Sequence, residues 1–125
     1  MKYRIIFQTN DKTPESHEVH AAIILANYFH SDIEIIKRGS LPSPDFLIKN
    51  VRWELKSPTG TGKHNIQHTL QDATRQSKNV ILDSSRSKMD MRKVRSEALR
   101  QFKIIRSIKR LILITKSGEV IELER

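Results

Sequence analysis

The segment at residues 44–56, PDFLIKNVRWELK, constrains the fold more than any other stretch of this chain. If Lys49-Asn50 form a two-residue hairpin turn, Asp45 lies opposite Glu54 and Phe46 lies opposite Trp53. A four-residue loop centred at the same place keeps this register, whereas a three-residue loop breaks it. Because side chains alternate between the two faces of a strand, Phe46, Ile48, Val51, Trp53 and Leu55 then share an apolar face, and Asp45, Glu54 and Lys56 share the other.

The opposed acids on the second face predict a cation site. Directly opposed side chains have Cβ atoms about 4.5–5.5 Å apart, so two carboxylates placed there repel each other. A divalent cation reverses the sign of that interaction, and Mg²⁺ or Mn²⁺ prefers oxygen ligands. Lys56 points to the same side, where its ammonium can orient a water or stabilise charge on a phosphoryl oxygen. We interpret Asp45, Glu54 and Lys56 as a metal-assisted phosphodiesterase centre. The alternative is that Asp45 caps a loop and that Glu54 and Lys56 form an exposed pair on an edge strand.

Length, charge and cysteine content restrict the class of protein. The 125 residues favour one domain over residues 1–125. The absence of Cys excludes a disulfide framework and a thiolate metal site. No apolar run approaches the roughly 20 residues that span a bilayer, and the start lacks a signal-peptide pattern. We therefore expect a cytoplasmic protein without a membrane partner. The net charge of +9 predicts a polyanionic partner, nucleic acid before membrane.

Most of the excess charge lies between residues 86 and 110, where ten basic residues face two acidic ones. Val94, Ala98, Phe102 and Ile105 recur there at helical spacing, which predicts a basic helix from Arg86 onward with one buried stripe. The alternatives are an ordinary solvated helix face and, third, a membrane- or partner-binding surface. We expect the nucleic-acid backbone to contact Lys63, Arg86, Lys88, Arg92, Lys93, Arg95 and Arg100.

The remaining patterns predict an α/β fold. Thr13-Pro14 has the form of a helix N-cap followed by Pro at the first helical position. Glu15 and Glu18 fall in the first turns, where the helix dipole favours anions. Apolar periodicity along the rest of the chain predicts the order β-α-β-β-β-α-β-α-β-β, a mixed central sheet flanked by helices.

Two other candidate sites have weaker support. The segment Gly60-Thr61-Gly62-Lys63 lacks the spacing of a nucleotide-binding phosphate loop, although a Gly-rich entry to a helix suits a phosphate group. The pairs His17/His20 and His64/His68 have spacings that could share zinc, without a clear third ligand. Surface or substrate-contact histidines are favoured, and acid–base work by His17 or His64 stays open.

Pro44-Asp45 and Glu54-Leu55-Lys56, preceded by a helix that carries Glu18, resemble the two motif halves of the PD-(D/E)XK nuclease superfamily. The pattern is most similar to the C-terminal tRNA nuclease domains of contact-dependent growth-inhibition (CdiA) toxins, and the resemblance covers roughly residues 15–123. The wider segments that carry it are Pro44–Ile48, Trp53–Pro58, Gly62-Lys63 and Gln76–Asp83.

The resemblance implies a restriction-endonuclease-like αβββαβ core and Mg²⁺-dependent cleavage of a nucleic-acid backbone. It implies that Asp45 and Glu54 bind the metal (Mg²⁺ or Mn²⁺) and that Lys56 is the catalytic lysine. An acid of the first helix would be a supporting ligand or orient the water, with Glu18 chosen and Glu15 as its rival. RNA, in particular tRNA, is the implied substrate, and an immunity protein is implied as a partner if the chain is a toxin.

The function expected from the sequence is therefore that of a metal-dependent nuclease. A DNA endonuclease or resolvase-like enzyme of the same fold is the nearest alternative, and a non-catalytic nucleic-acid-binding module is the competing class. Because the chain begins with Met, we expect it to be complete, whereas the toxin domains it resembles end very large secreted proteins.

Overall fold

The predicted order of elements is confirmed by the structure, a computed structural model that describes residues 2–7, 13–37 and 43–125. Three helices and seven strands follow one another as β-α-β-β-β-α-β-α-β-β. The strands are β1 (Ile5–Phe7), β2 (Ile33–Ile36), β3 (Asp45–Ile48), β4 (Val51–Lys56), β5 (Asn79–Asp83), β6 (Arg110–Ile114) and β7 (Val120–Leu123), and the helices are α1 (Ser16–Phe29), α2 (Asn65–Ala73) and α3 (Met91–Ile104).

All seven strands join one mixed sheet in sequence order. The pair β1–β2 is parallel, β2, β3 and β4 form an antiparallel meander, and β4, β5 and β6 run parallel. Strand β7 closes the far edge antiparallel to β6. The helices α2 and α3 supply the long connections that parallel strands need. The α/β fold class predicted from the sequence is confirmed.

The two faces of the sheet bury two separate apolar clusters. Helix α1 packs with Trp53, Leu55 and their neighbours on one face, whereas α2 and α3 pack with Val80 and Leu82 on the other. Since Glu54 pairs with Val80 and Lys56 with Leu82, the charged side chains of β4 lie on the α2/α3 face. Trp53 is 1% exposed, as expected for a core residue.

The hairpin between β3 and β4 has the predicted register. Asp45 pairs with Glu54, Phe46 with Trp53 and Ile48 with Val51. The turn residues Lys49 and Asn50 have φ values of 50° and 66°. Positive φ at both central positions is the mark of a two-residue turn whose twist matches that of the strands.

Helix α1 begins later than Thr13-Pro14 predicts. Glu15 is its N-cap, and the Glu15 amide donates a hydrogen bond of 2.8 Å to the Glu18 carboxylate. This backbone donor needs an acceptor at the helix start, and Glu18 supplies it three residues along. The predicted cap at Thr13 is therefore wrong.

The basic segment is divided by the fold, which corrects the single helix predicted from Arg86 onward. Asp90 caps α3 by accepting a hydrogen bond of 2.8 Å from the Arg92 amide, so Arg86 and Lys88 precede the helix. Arg110 belongs to β6, where its guanidinium stacks over Trp53. Within the described ranges, none of the helices has the length and apolar character needed to cross a membrane.

Candidate functional site

Asp45 and Glu54 form the centre of the candidate site. Their strands pair them directly, and their side chains are almost fully buried, with residue exposures of 3% and 1%. The oxygens Asp45 Oδ1 and Glu54 Oε1 are buried and accept no hydrogen bond from the described residues. A buried oxygen that accepts no hydrogen bond costs free energy of folding. A cation or a proton placed between the two carboxyl groups would reduce that cost.

The environment of Glu54 disfavours its negative charge. Burial, a side-chain hydrogen bond with Asp45 and repulsion from the Asp45 charge raise the pKa of Glu54 from 4.5 to about 8. Attraction from Lys56 and Arg52 opposes these effects without overcoming them. At neutral pH the Glu54 carboxyl group is therefore protonated unless a cation is bound beside it.

Arg52, which the sequence analysis did not select, contacts the acidic pair from the same face. Its Nη2 lies 2.5 Å from Asp45 Oδ2, while its side chain is half exposed. This ion pair occupies one oxygen of Asp45 and leaves Oδ1 free. The signal for it lay in the alternation along β4, which places Arg52 on the same face as Glu54.

Lys56 is held in place by three oxygen atoms. Its Nζ donates to Asp72 Oδ2 at 2.7 Å and to Ser43 Oγ at 2.8 Å, and it lies 3.8 Å from Glu54 Oε2. The hydrogen bond from Lys56 lowers the pKa of the Asp72 carboxyl. The ammonium is thus fixed beside the acidic pair, as the sequence pattern predicts, and Asp72 of α2 is an additional member of the site.

Glu18 is the buried acid of α1, and Glu15 is the exposed one. The Glu18 carboxylate accepts hydrogen bonds of 2.9 and 3.1 Å from Lys37 Nζ, in addition to that from the Glu15 amide. Lys37 itself is 6% exposed and follows β2 directly. Both carboxylate oxygens of Glu18 therefore already have a cationic partner, whereas Asp45 and Glu54 each keep one oxygen without a partner.

Glu18 and Lys56 line one cavity of about 400 Å³. It lies where β4 and β5 reach their carboxyl ends, the edge at which open α/β sheets place ligands. Asp45 and Glu54 are not among its lining residues; along the chain, Asp45 follows the lining residue Pro44 and Glu54 precedes the lining residue Leu55. The polar groups that face this space are Glu15, His17, Glu18, Ser43, Lys56, Ser57, His68, Thr69, Asp72 and Arg86.

A second group of possible metal ligands lies at the margin of the same cavity. Among the residues that the structure describes, Glu15, His17 and Glu18 offer ligand atoms within 4.8 Å of one another. His17 Nδ1 is 3.4 Å from Glu15 Oε2. The pair His64/His68, whose spacing is compatible with zinc, belongs to no such group of three in the described chain, and its rings lie 6.0 Å apart.

The cationic residues selected for backbone binding fall into three places. Arg86 lines the cavity, and its Nη2 donates a hydrogen bond of 3.0 Å to the carbonyl of Ser57. Lys63, Lys93 and Arg100 surround a groove between the start of α2 and α3. Lys88, Arg92 and Arg95 are exposed and line neither space.

Three residues that hold the charged groups of the site were not predicted from the sequence: Lys37, Ser43 and Asp72. Lys37 carried a signal, because it continues the buried alternation of Ile33 and Ile35 and a lysine at such a position needs an anion. No sequence signal pointed to Asp72, because its contact with Lys56 joins two segments 16 residues apart.

Comparison with known proteins gives one family and one related structure. The model of the family described as "Contact-dependent growth inhibition CdiA C-terminal domain" matches residues 42–120. A chain of the CdiA-CT/CdiI toxin and immunity complex from Burkholderia pseudomallei has the same fold, with a TM-score of 0.63 and 16% identity over 98% of this chain and 99% of that one. A search of curated protein sequences found no match.

Proposed function

Because this chain belongs to the contact-dependent growth inhibition CdiA C-terminal domain family, we propose that it is a toxin domain that kills as a metal-dependent nuclease. The observation that carries the proposal is the buried pair Asp45 and Glu54, each with an oxygen that lacks a donor, next to the fixed ammonium of Lys56. This arrangement is the one that the sequence resemblance to PD-(D/E)XK nucleases implies.

The chemistry of this pair fits a divalent cation. A shared Mg²⁺ or Mn²⁺ would supply a partner to both free oxygens and would offset the repulsion that helps to raise the pKa of Glu54. Asp45 and Glu54 are the proposed ligands, and Glu18 is a supporting group that becomes a ligand only if Lys37 moves away from it. A cation bound there supplies Lewis acidity toward a phosphate and a more acidic water.

The residues of the chain have separate proposed roles around that centre. Lys56, positioned by Asp72 and Ser43, orients the attacking water or stabilises the negative charge that develops on the phosphoryl oxygens. The ion pair of Glu18 and Lys37 holds the Lys37 ammonium beside the first turn of α1. Arg86 lines the cavity and is placed to hold a phosphate of the bound strand.

RNA, and tRNA in particular, is the substrate we propose from the sequence resemblance, with DNA as the alternative. The related Burkholderia structure is a complex of a toxin with its immunity protein. We propose that this chain, too, is neutralised by a dedicated immunity protein.

Cleavage assays test the proposal directly. The purified protein is incubated with tRNA, single-stranded RNA, single-stranded DNA and duplex DNA, with Mg²⁺ or with EDTA. We expect Mg²⁺-dependent cleavage of RNA, and a loss of at least about 100-fold in rate for Asp45→Ala and Lys56→Ala, because both act on the reacting phosphate.

A matched control is Lys78→Ala, which removes an exposed lysine far from these contacts and should cleave as the wild type does. Binding without metal-dependent cleavage of any substrate would make the chain a nucleic-acid-binding module instead. Equal cleavage by wild type and Lys56→Ala would show that the site is elsewhere.

A further inference from the structure

The groove beside the cavity holds an unassigned cluster of cations. It is lined by Lys63, His64, Gln67, Lys93, Glu97 and Arg100. On α3, Lys93, Glu97 and Arg100 are spaced four and three residues apart, so they share the stripe that faces α2. Lys63, Lys93 and Arg100 are three of the seven cations that the sequence predicts to contact a nucleic-acid backbone, and the fold brings these three together.

The charges in this groove are mostly unbalanced. Glu97 is engaged by Gln101 at 2.9 Å and by Arg100 at 3.2 Å. In the described part of the chain, no carboxylate forms an ion pair with Lys63 or Lys93. Three cations and one carboxylate leave a net charge of +2, with two exposed ammonium groups available to an anion.

Helix α2 connects the groove to the candidate site. His64 borders the groove and His68 borders the cavity, and their exposed rings lie 6.0 Å apart on one side of the helix. Histidine rings are among the side chains on which nucleobases stack. The two spaces therefore share a continuous surface made of imidazole rings and cations.

We propose that this groove is a phosphate-binding subsite for the same nucleic-acid strand, reached from the cavity over His68 and His64. The subsite rests on the proposed function, since it assumes that a strand occupies the cavity. From Asp72 to His64 the helix rises about 12 Å. A stacked strand advances about 3.4 Å per nucleotide, so the subsite contacts phosphates about three to four nucleotides from the cleaved bond. Its recognised chemistry is the phosphodiester backbone of a single strand.

Binding experiments with oligonucleotides of two lengths test this subsite. Labelled single-stranded RNAs of about 2 nucleotides, too short to reach the groove from the cavity, and of about 12 nucleotides, and DNAs of the same sequences, are titrated in EDTA so that no strand is cut. The variant Lys63→Ala/Lys93→Ala should bind the longer strand about tenfold more weakly and the shorter strand less than twofold more weakly. Its salt slope for the longer strand should fall by about 1.4, the value for two lost contacts on a single strand.

The control variant Lys103→Ala/Lys109→Ala removes the same charge from exposed positions outside the groove. We expect it to lower binding slightly and equally at both lengths. Equal losses for the two double variants, a loss for the groove variant that is independent of length, or unchanged binding would overturn the proposal. Equal losses for RNA and DNA support contacts to phosphate alone, and a loss confined to RNA supports a site for a ribose-containing strand.

Two further outcomes separate failure of the proposed nuclease from failure of the proposed subsite. A protein that shows length-dependent binding through Lys63 and Lys93 but cuts nothing in Mg²⁺ keeps the subsite and loses the nuclease. A protein that cuts RNA with unchanged efficiency when both lysines are replaced keeps the nuclease and loses the subsite.

Discussion

At the scale of single residues, the cost of burying Glu54 dominates the candidate site. Its carboxyl group is 1% exposed and faces Asp45, and its pKa is raised to about 8. A folded protein that holds this proton more tightly than the unfolded chain loses stability when the proton leaves. The same environment that favours a bound cation therefore weakens the metal-free protein at neutral and alkaline pH.

The first prediction concerns the pH dependence of stability. The contribution of the Glu54 proton to the free energy of unfolding is fully present below pH 4.5 and is lost as the pH rises through about 8. The metal-free wild type should therefore lose a few kcal/mol of unfolding free energy over that pH range. The variant Glu54→Gln cannot ionise and should lose much less. Urea denaturation in EDTA at several pH values measures the difference.

Added Mg²⁺ provides the control for this prediction. It should restore the stability of the wild type at alkaline pH and leave Glu54→Gln unchanged, because the variant lacks one of the two proposed ligand carboxylates. Parallel pH profiles for the two proteins in EDTA would contradict the raised pKa of Glu54.

The second prediction concerns Asp72, the closest partner of Lys56. The variant Asp72→Asn should lower the cleavage rate about tenfold, because the ammonium loses the charged group that positions it. The free energy of unfolding should change by less than about 1 kcal/mol, since the Asp72 side chain is half exposed. Cleavage rates and thermal unfolding are measured together. Asp72→Glu should recover part of the rate, and the neighbouring Gln71→Ala should leave it unchanged.

At the scale of elements, the β3–β4 hairpin sets the geometry of the acidic pair. Both turn residues have positive φ, a conformation that Asn-Gly adopts more easily than Lys49-Asn50. Replacing the turn by Asn-Gly should therefore raise the unfolding free energy by about 0.5–1 kcal/mol and leave cleavage unchanged. Chemical denaturation and the cleavage assay measure the two effects.

A one-residue insertion at this turn gives the opposite prediction. An extra Gly after Asn50 makes a three-residue loop, and a one-residue slip turns the side chains of one strand to the other face. We expect loss of cleavage and a large loss of stability. The hairpin can then no longer pair Asp45 with Glu54 and bury Phe46 and Trp53 on the other face at the same time. Retained cleavage would mean that the pairing of Asp45 with Glu54 is not needed.

The elements also show what a sequence reveals about such a site. The hairpin register follows from alternation within 13 residues, and the buried stripe of α3 follows from Val94, Ala98 and Phe102, so both are local patterns. The start of α1 was misplaced because Thr13-Pro14 is a good cap in isolation, while the observed cap depends on Glu18 and its partner Lys37. The contact between Glu18 and Lys37 joins segments 19 residues apart, so the pattern around Thr13 does not record it.

At the scale of the whole molecule, one sheet separates two apolar clusters. We predict that they unfold together, since both clusters pack on the two faces of one hydrogen-bonded sheet. The variant Leu70→Ala, in the α2/α3 cluster, should cost about 2–5 kcal/mol. The fluorescence of Trp53, in the α1 cluster, should report the same midpoint shift as circular dichroism. Separate midpoints would indicate two independently unfolding layers.

The alternation along β4 also has a genetic consequence. Trp53 and Leu55 face the α1 cluster, while Glu54 and Lys56 face the other side, so substitutions at the second pair leave the first intact. One nucleotide change converts a lysine codon into a codon for the uncharged residues glutamine or asparagine. A lineage can therefore lose the proposed toxicity in a single mutational step and still produce a folded chain.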